Sequence, residues 1–262
     1  MSLLTGRTVV VSGVGAGLGH QVAAAVVRDG GNAVLGARTE ANLAKSAAEI
    51  DPAGARTAYR VTDIRDEGQC EALAELARER FGGIDAVVQV AAWDSYFGGV
   101  EDADFATWQS VIDVNLLGSL RMARACLPGL RAAGGGAVVF IGTQSAVAAP
   151  SQVRQAAYAA SKGALTSAMY SLARELGPHR IRVNTVLPGW MWGPPVQAYV
   201  RFTAQAEGVA EEEVLGRLTG RMALPGLATD GDVADAAVFL ASDRARAITG
   251  QSLLVNAGEL MR

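Results

Sequence analysis

Short apolar, β-branched runs alternate along this chain with longer alanine-rich stretches in which apolar positions recur every three or four residues. The runs are continuously apolar rather than alternating, the pattern of strands buried on both faces. It predicts strands over residues 8–12, 32–37, 56–61, 84–91, 137–142, 180–187 and 252–256. Between them it predicts helices over 17–28, through Leu43 and Ile50, and over 67–80, then about 105–132, about 155–176 and 232–241. The triple glycine Gly134 to Gly136 predicts the turn into the fifth strand. Repeated βα units of this kind imply an α/β fold: a doubly wound parallel sheet with helices on both faces. No linker, low-complexity tract or fixed-period repeat divides the chain, so 1–262 reads as one domain. The stretch from Pro188 to about Thr229 is proline-broken and partly helical. A long insertion so late in a compact α/β domain reads as a lid over a ligand, at about 190–229.

Composition narrows the classes. At 50% hydrophobic residues and a formal charge of −3 the chain is expected to fold rather than stay disordered. The charge balance also gives no basic surface, so no nucleic-acid partner is expected. Apolar runs of about 5 to 8 residues fall short of the roughly 18 to 20 that span a bilayer, so no membrane association is expected. Met1 to Gly13 has no basic head before a long apolar block, which argues against a secretory leader and for a cytoplasmic location. Two cysteines, Cys70 and Cys126, do not make a disulfide framework, and with His20 and His179 they do not suggest a metal site. Of 23 basic residues only Lys45 and Lys162 are lysines, which makes Lys162 stand out.

The first strand runs into Ser12-Gly13-Val14-Gly15-Ala16-Gly17-Leu18-Gly19. Glycines between a strand and a helix let the backbone approach a pyrophosphate, and the helix N-terminus offers free N–H groups. The spacing is G-x-x-x-G-x-G, at Gly13, Gly17 and Gly19. A tight βα turn would need glycines too, but the strand-loop-helix context favours a dinucleotide site. At the end of the second strand, where a carboxylate would bond the ribose of NAD, stand Ala37 and Arg38. An arginine there pairs with a 2′-phosphate, which favours NADP, while the nearby Glu40 keeps NAD open.

Tyr158-Ala159-Ala160-Ser161-Lys162 places a phenol and an ammonium four residues apart, on one helix face. A neighbouring ammonium is expected to lower the tyrosine pKa and to make Tyr158 an acid/base candidate. Ser145 lies thirteen residues earlier, just past the fifth strand, where its hydroxyl can hold a carbonyl oxygen. Asn115 sits inside a predicted helix despite poor propensity. It either holds a water in a proton relay or bonds a helix carbonyl.

With these residues in order, the chain resembles the classical short-chain dehydrogenase/reductase family over nearly its whole length. The resemblance rests on Gly13/Gly17/Gly19, Asp63-Ile64, Asn115, Ser145, Tyr158-x-x-x-Lys162, Pro188-Gly189 and Thr249-Gly250-Gln251. It implies a Rossmann-type fold and hydride transfer between a nicotinamide cofactor and a ketone or secondary alcohol. In that frame Asn115, Ser145, Tyr158 and Lys162 form the catalytic tetrad. Tyr158 passes the proton, Ser145 positions the carbonyl, Lys162 binds the nicotinamide ribose, and Asn115 anchors a relay water. Cofactor contacts are implied at Gly13, Gly17, Leu18, Gly19 and Arg38, then at Asp63 beside the adenine, with Ile64 next to it. Further along they are implied at Ala91, Pro188, Gly189 and Met191.

The departures are local. Gln89-Val90-Ala91-Ala92 replaces the family's Asn-Asn-Ala-Gly, and Gly193 stands where a threonine often holds the nicotinamide carboxamide. Thr143 rivals Ser145 if the following loop is two residues longer than usual; the thirteen-residue spacing favours Ser145. Trp93, Tyr96, Gln152, Trp190, Met191 and Trp192 fall near the strand ends and suit an apolar ketone or alcohol, though aromatic side chains also simply pack lids. The resemblance implies a homotetramer or homodimer. A catalytically silent cofactor sensor or scaffold on the same fold is the competing reading, and the complete tetrad disfavours it.

Overall fold

The computed structural model describes residues 2–149 and 153–262. Seven strands form one sheet: β1 (Thr8–Ser12), β2 (Asn32–Ala37), β3 (Thr57–Val61), β4 (Ala86–Gln89), β5 (Gly136–Ile141), β6 (Ile181–Pro188) and β9 (Ser252–Val255). Their order is β3-β2-β1-β4-β5-β6-β9, and every pairing is parallel. The order reverses between β1 and β4, where Ser12 lies opposite Gln89. In open parallel sheets ligands bind in the crevice beyond the carboxyl ends of the strands at this switch point.

Side chains alternate across each strand, so adjacent valines feed opposite layers. Val9 and Val11 join α1 (Leu18–Arg28) and α9 (Asp230–Ala241) on one face. Val10, Val87 and Val138 join α3 (Glu67–Phe81), α5 (Ser119–Ala132) and α6 (Ala156–Leu176) on the other. All three strands are apolar on both faces because both faces are covered, which explains their continuous hydrophobic runs. The remaining helix of the sheet, α2 (Glu40–Ile50), follows β2.

The predicted long helix over 105–132 is continuous but not uniform. It consists of α4 (Phe105–Ile112), a π-helical turn at Asp113–Gly118 and α5. Such a turn widens the helix by one residue and is found mostly at functional positions. Asn115 lies inside it. The irregular stretch holds β7 (Met191–Trp192), α7 (Pro194–Glu207), α8 (Glu211–Thr219) and β8 (Ala228–Thr229). The two helices pack on each other through a small separate core of Val200, Ala204, Val214 and Leu218. Among the described residues no helix is long and apolar enough to cross a membrane. Cys70 and Cys126 are buried, unbridged thiols.

The last strand is tied in by one fully buried amide. Asn184 on β6 donates to Ile248 O (2.9 Å) and accepts from Gln251 N–H (3.0 Å). Replacing it by alanine strands both backbone groups. Asn184→Ala is expected to lower unfolding free energy by about 2–4 kcal/mol. Urea titration reads this as an earlier midpoint, and an unchanged midpoint would deny the clamp.

Candidate active site

A cleft of about 1430 Å³ opens at the switch point. Its floor is the glycine loop. Gly13 N–H and Val14 N–H both donate to Gly36 O, at 2.7 and 3.1 Å, folding the loop back on β2. Gly13 has φ +93°, and a Cβ there would lie 2.2 Å from Ala91 N; a Cβ at Gly19 would lie 2.2 Å from Gly13 O. Both positions therefore require glycine. Helix α1 starts at Leu18, and no side chain caps its first turn. Its first N–H groups remain available to an anion. Gly17, Leu18 and Gly19 all line the cleft.

Arg38 follows the last residue of β2 into the cleft and makes no hydrogen bond or ion pair among the described residues. Nearby, Arg65 holds the Asp63 carboxylate at 2.6 Å and keeps it below the usual carboxylate range, with the charge of Arg38 adding to the effect. Ile64 is buried beside it. Ala91 N–H donates to Ser12 O (2.9 Å), so the turn after β4 survives the change from the family's asparagines. The polar bridge weakens: Gln89 Nε2 reaches Ala91 O only at 3.5 Å, and Gln89 Oε1 is buried without a partner. Pro188 ends β6, Gly189 N–H donates to Val255 O (3.3 Å), and Met191 lines the opposite wall. Uncapped N–H groups, a glycine cradle too close for a Cβ, and an unpaired guanidinium at the end of β2 fit a phosphorylated dinucleotide.

Deeper in the cleft α6 presents Tyr158 and Lys162 one turn apart. Lys162 is buried, and its ammonium donates to Ile141 O at the end of β5 (2.7 Å). Burial pushes it down to about 8, against the charge of Asp94. Burial likewise pushes the Tyr158 phenol up, Asp94 pushes it further, and a hydrogen bond with the Thr143 hydroxyl pulls it back. The sequence-based expectation of a phenol acidified by its lysine is therefore corrected. Desolvation disfavours the charged form of both groups, and Lys162 is directed at a backbone carbonyl.

The Thr143 hydroxyl, the rival named from the sequence, is the one hydrogen-bonded to the phenol. Thr143 is the second residue past β5, and its Oγ1 accepts Ser145 N–H at 3.2 Å. Ser145 lies in the 3₁₀ turn Gln144–Ala146, four residues beyond the strand end, although it still lines the cleft. Asn115 is held in a hydrogen-bond network of its own. Its side chain accepts Trp93 N–H (2.7 Å) and donates to Trp93 O and Ser161 Oγ, both at 3.0 Å. Both amide hydrogens are committed to the protein and one Oδ1 lone pair is left, so the side chain fixes backbone first. Ser161 then donates to Tyr158 O (2.8 Å), linking the clamp to the tyrosine. Sequence reasoning passed over Ser161, although a hydroxyl between Tyr158 and Lys162 on a helix face was a usable signal.

Of the aromatic candidates, Trp93 and Trp190 line the cleft, Trp190 stacking at 5.0 Å on Tyr199 of α7. Trp192 does not. It neighbours Met191 on β7, so the two side chains take opposite sides, and Trp192 is 37% exposed. Tyr96 accepts Asp104 N–H (2.9 Å) away from the cleft lining, and Gln152 lies outside the described residues. The site also gains polar residues that sequence reasoning missed: Asp94, Gln144, Arg221 and Glu259.

Comparison with known proteins agrees with this arrangement. Residues 13–259 match the family described as enoyl-(acyl carrier protein) reductase. A protein assigned as the ketoacyl reductase of a monensin polyketide synthase in Streptomyces virginiae is 33% identical over 98% of both chains. L-fucose dehydrogenase of Mus musculus is 32% identical, over 97% of this chain and 88% of its own. The crystal structure of L-sorbose reductase from Gluconobacter frateurii, complexed with NADPH and L-sorbose, superposes with a TM-score of 0.92 at 26% identity over 100% of both chains. The glycine cradle, the Tyr158/Lys162 helix and these full-length matches together show that the chain belongs to the short-chain dehydrogenase/reductase family of oxidoreductases.

Proposed function

We propose that this oxidoreductase interconverts a ketone and a secondary alcohol with NADP as the preferred cofactor. The observation that carries the reading is the cleft in which a glycine loop and an unpaired arginine meet a half-buried tyrosine and a buried lysine. The cofactor, when bound, supplies or accepts the hydride. Gly13, Gly17, Leu18 and Gly19 hold its pyrophosphate, Arg38 its 2′-phosphate, and Asp63, Ile64, Ala91, Pro188, Gly189 and Met191 its remaining length. NADPH in the sorbose reductase complex supports the cofactor choice.

Tyr158 moves the proton. Because burial keeps its phenol protonated near neutral pH, the resting site is ready to donate, which favours carbonyl reduction. Thr143 shares the carbonyl oxygen with it and takes the position expected of Ser145. Lys162 lies beneath the phenol, and a base near 8 can be recharged from solvent within the working pH range. Asn115 and Ser161 position Tyr158 through backbone contacts. Trp93 and Trp190 form the apolar part of the substrate pocket, and α7 with α8 acts as the lid. Phe105, Leu117 and Tyr170 stand exposed along α4, the π-helical turn and α6, which supports a homodimer or homotetramer through the long helices.

Ketone reduction followed by nicotinamide absorbance tests the assignment. Tyr158→Phe and Thr143→Ala are each expected to lower kcat at least about 100-fold, with cofactor binding retained. Ser145→Ala is expected to stay within about tenfold of the parent. The reverse ranking of Thr143 and Ser145 would return the role to the serine. Arg38→Ala is expected to weaken NADP binding by about tenfold or more and NAD binding little. Fluorescence titration with both cofactors measures it, and an unchanged preference would remove Arg38 from the phosphate site.

A further inference from the structure

We infer that Asp94 sets the charge of the substrate: it selects neutral, hydroxyl-bearing carbonyl compounds and turns away those that carry a carboxylate near the reacting carbon. This rests on the assignment of Tyr158 as the proton donor. Asp94 immediately follows Trp93, whose backbone N–H and carbonyl are both bound by Asn115. Its own carbonyl accepts from Gln155 Nε2, just ahead of α6. Two clamps therefore fix the backbone on either side of its Cα, on the same buried framework that fixes Tyr158. The side chain itself is free. Its carboxylate is exposed, lines the cleft, and makes no hydrogen bond or ion pair among the described residues. It is close enough for its charge to act on both Tyr158 and Lys162.

No other charge at the reaction end offsets it fully. Glu259, on the opposite wall, is neutralised by Arg221 (2.8 Å) and accepts from Gln144 Nε2 (3.0 Å). Lys162 is buried and turned to Ile141 O. Arg154 is exposed and does not line the cleft. An incoming carboxylate thus meets an unpaired like charge on the exposed side of the cleft, where at an effective dielectric of about 20 the repulsion costs on the order of tenfold in affinity. A hydroxyl on the substrate meets instead a strong acceptor, because hydrogen bonds to an ionised carboxylate exceed those between neutral groups.

The test compares isobutyramide with isobutyrate, a pair of like shape that differs in charge, binding to the protein–NADPH complex as read by nicotinamide fluorescence. The parent is expected to prefer the amide by at least about tenfold. Asp94→Asn and the shorter Asp94→Ser should each shrink that preference by about tenfold, and Asp94→Glu should keep it. The same amide-to-acid ratio in the parent and both neutral variants would overturn the inference. Turnover of ethyl acetoacetate against acetoacetate adds a kinetic ratio that must move in parallel. Absence of all turnover in the parent would overturn the assignment of Tyr158 and the inference built on it, while an unchanged binding ratio alone would overturn only the role of Asp94.

Discussion

The side-chain amide of Asn115 bonds the backbone of Trp93 in both directions and donates a third hydrogen bond to Ser161. These contacts join three separate pieces of chain: the loop after β4, the π-helical turn and α6. The amide is fully buried, so each of its polar atoms must find a partner inside the protein. Those partners sit at the correct distance only if the loop, turn and helix keep one relative placement. The π-helical turn brings the asparagine inward at a point where a regular helix would be out of phase by one residue. Through Ser161 the constraint reaches Tyr158, and through Trp93 it reaches Asp94. The backbones of Tyr158 and Asp94 are thus tied to one buried polar network, and such a network holds geometry more firmly than surface contacts can.

Burial then decides the chemistry of the groups so placed. A phenol and an ammonium close together in water would stabilise each other's charge. In this cleft both lose solvent, and Lys162 satisfies itself on Ile141 O. The neutral phenol is the resting form, held by Thr143 and raised by Asp94. Desolvation outweighs pairing because the ammonium is directed at a carbonyl dipole instead of at the phenol oxygen. Any group that places positive charge near the phenol would change that balance.

Much of the architecture was legible along the chain because both-face burial makes each parallel strand an apolar run. β2, for example, spans the predicted residues 32–37 without change. The glycine loop was legible for a related reason, since Gly13 and Gly19 sit where another residue collides with backbone. What escaped depends on three-dimensional contacts that spacing does not encode. Thr143 lies second past β5 and Ser145 fourth, inside a 3₁₀ turn, and a hydroxyl count cannot see a strand end. Trp192 faces away because a two-residue strand sends neighbours to opposite sides. Asn115 looked like an odd residue in a helix, and nothing in its neighbours announced a π-helical turn. Asp94 and Glu259 belong to no motif of the sequence and lie 165 positions apart. Only folding brings them to the same cleft as Tyr158.

Interconversion of a ketone and an alcohol here requires hydride to pass across this cleft to a carbon whose oxygen is held by Tyr158. Incubation with NADPH deuterated at C4 of the nicotinamide, against a panel of neutral ketones that includes ethyl acetoacetate and hydroxyacetone, addresses it directly. Mass spectrometry of the product alcohol is predicted to show deuterium at the carbinol carbon from one face of the nicotinamide only. Alcohol that carries no label from either face, or no alcohol formed across the panel, would contradict it.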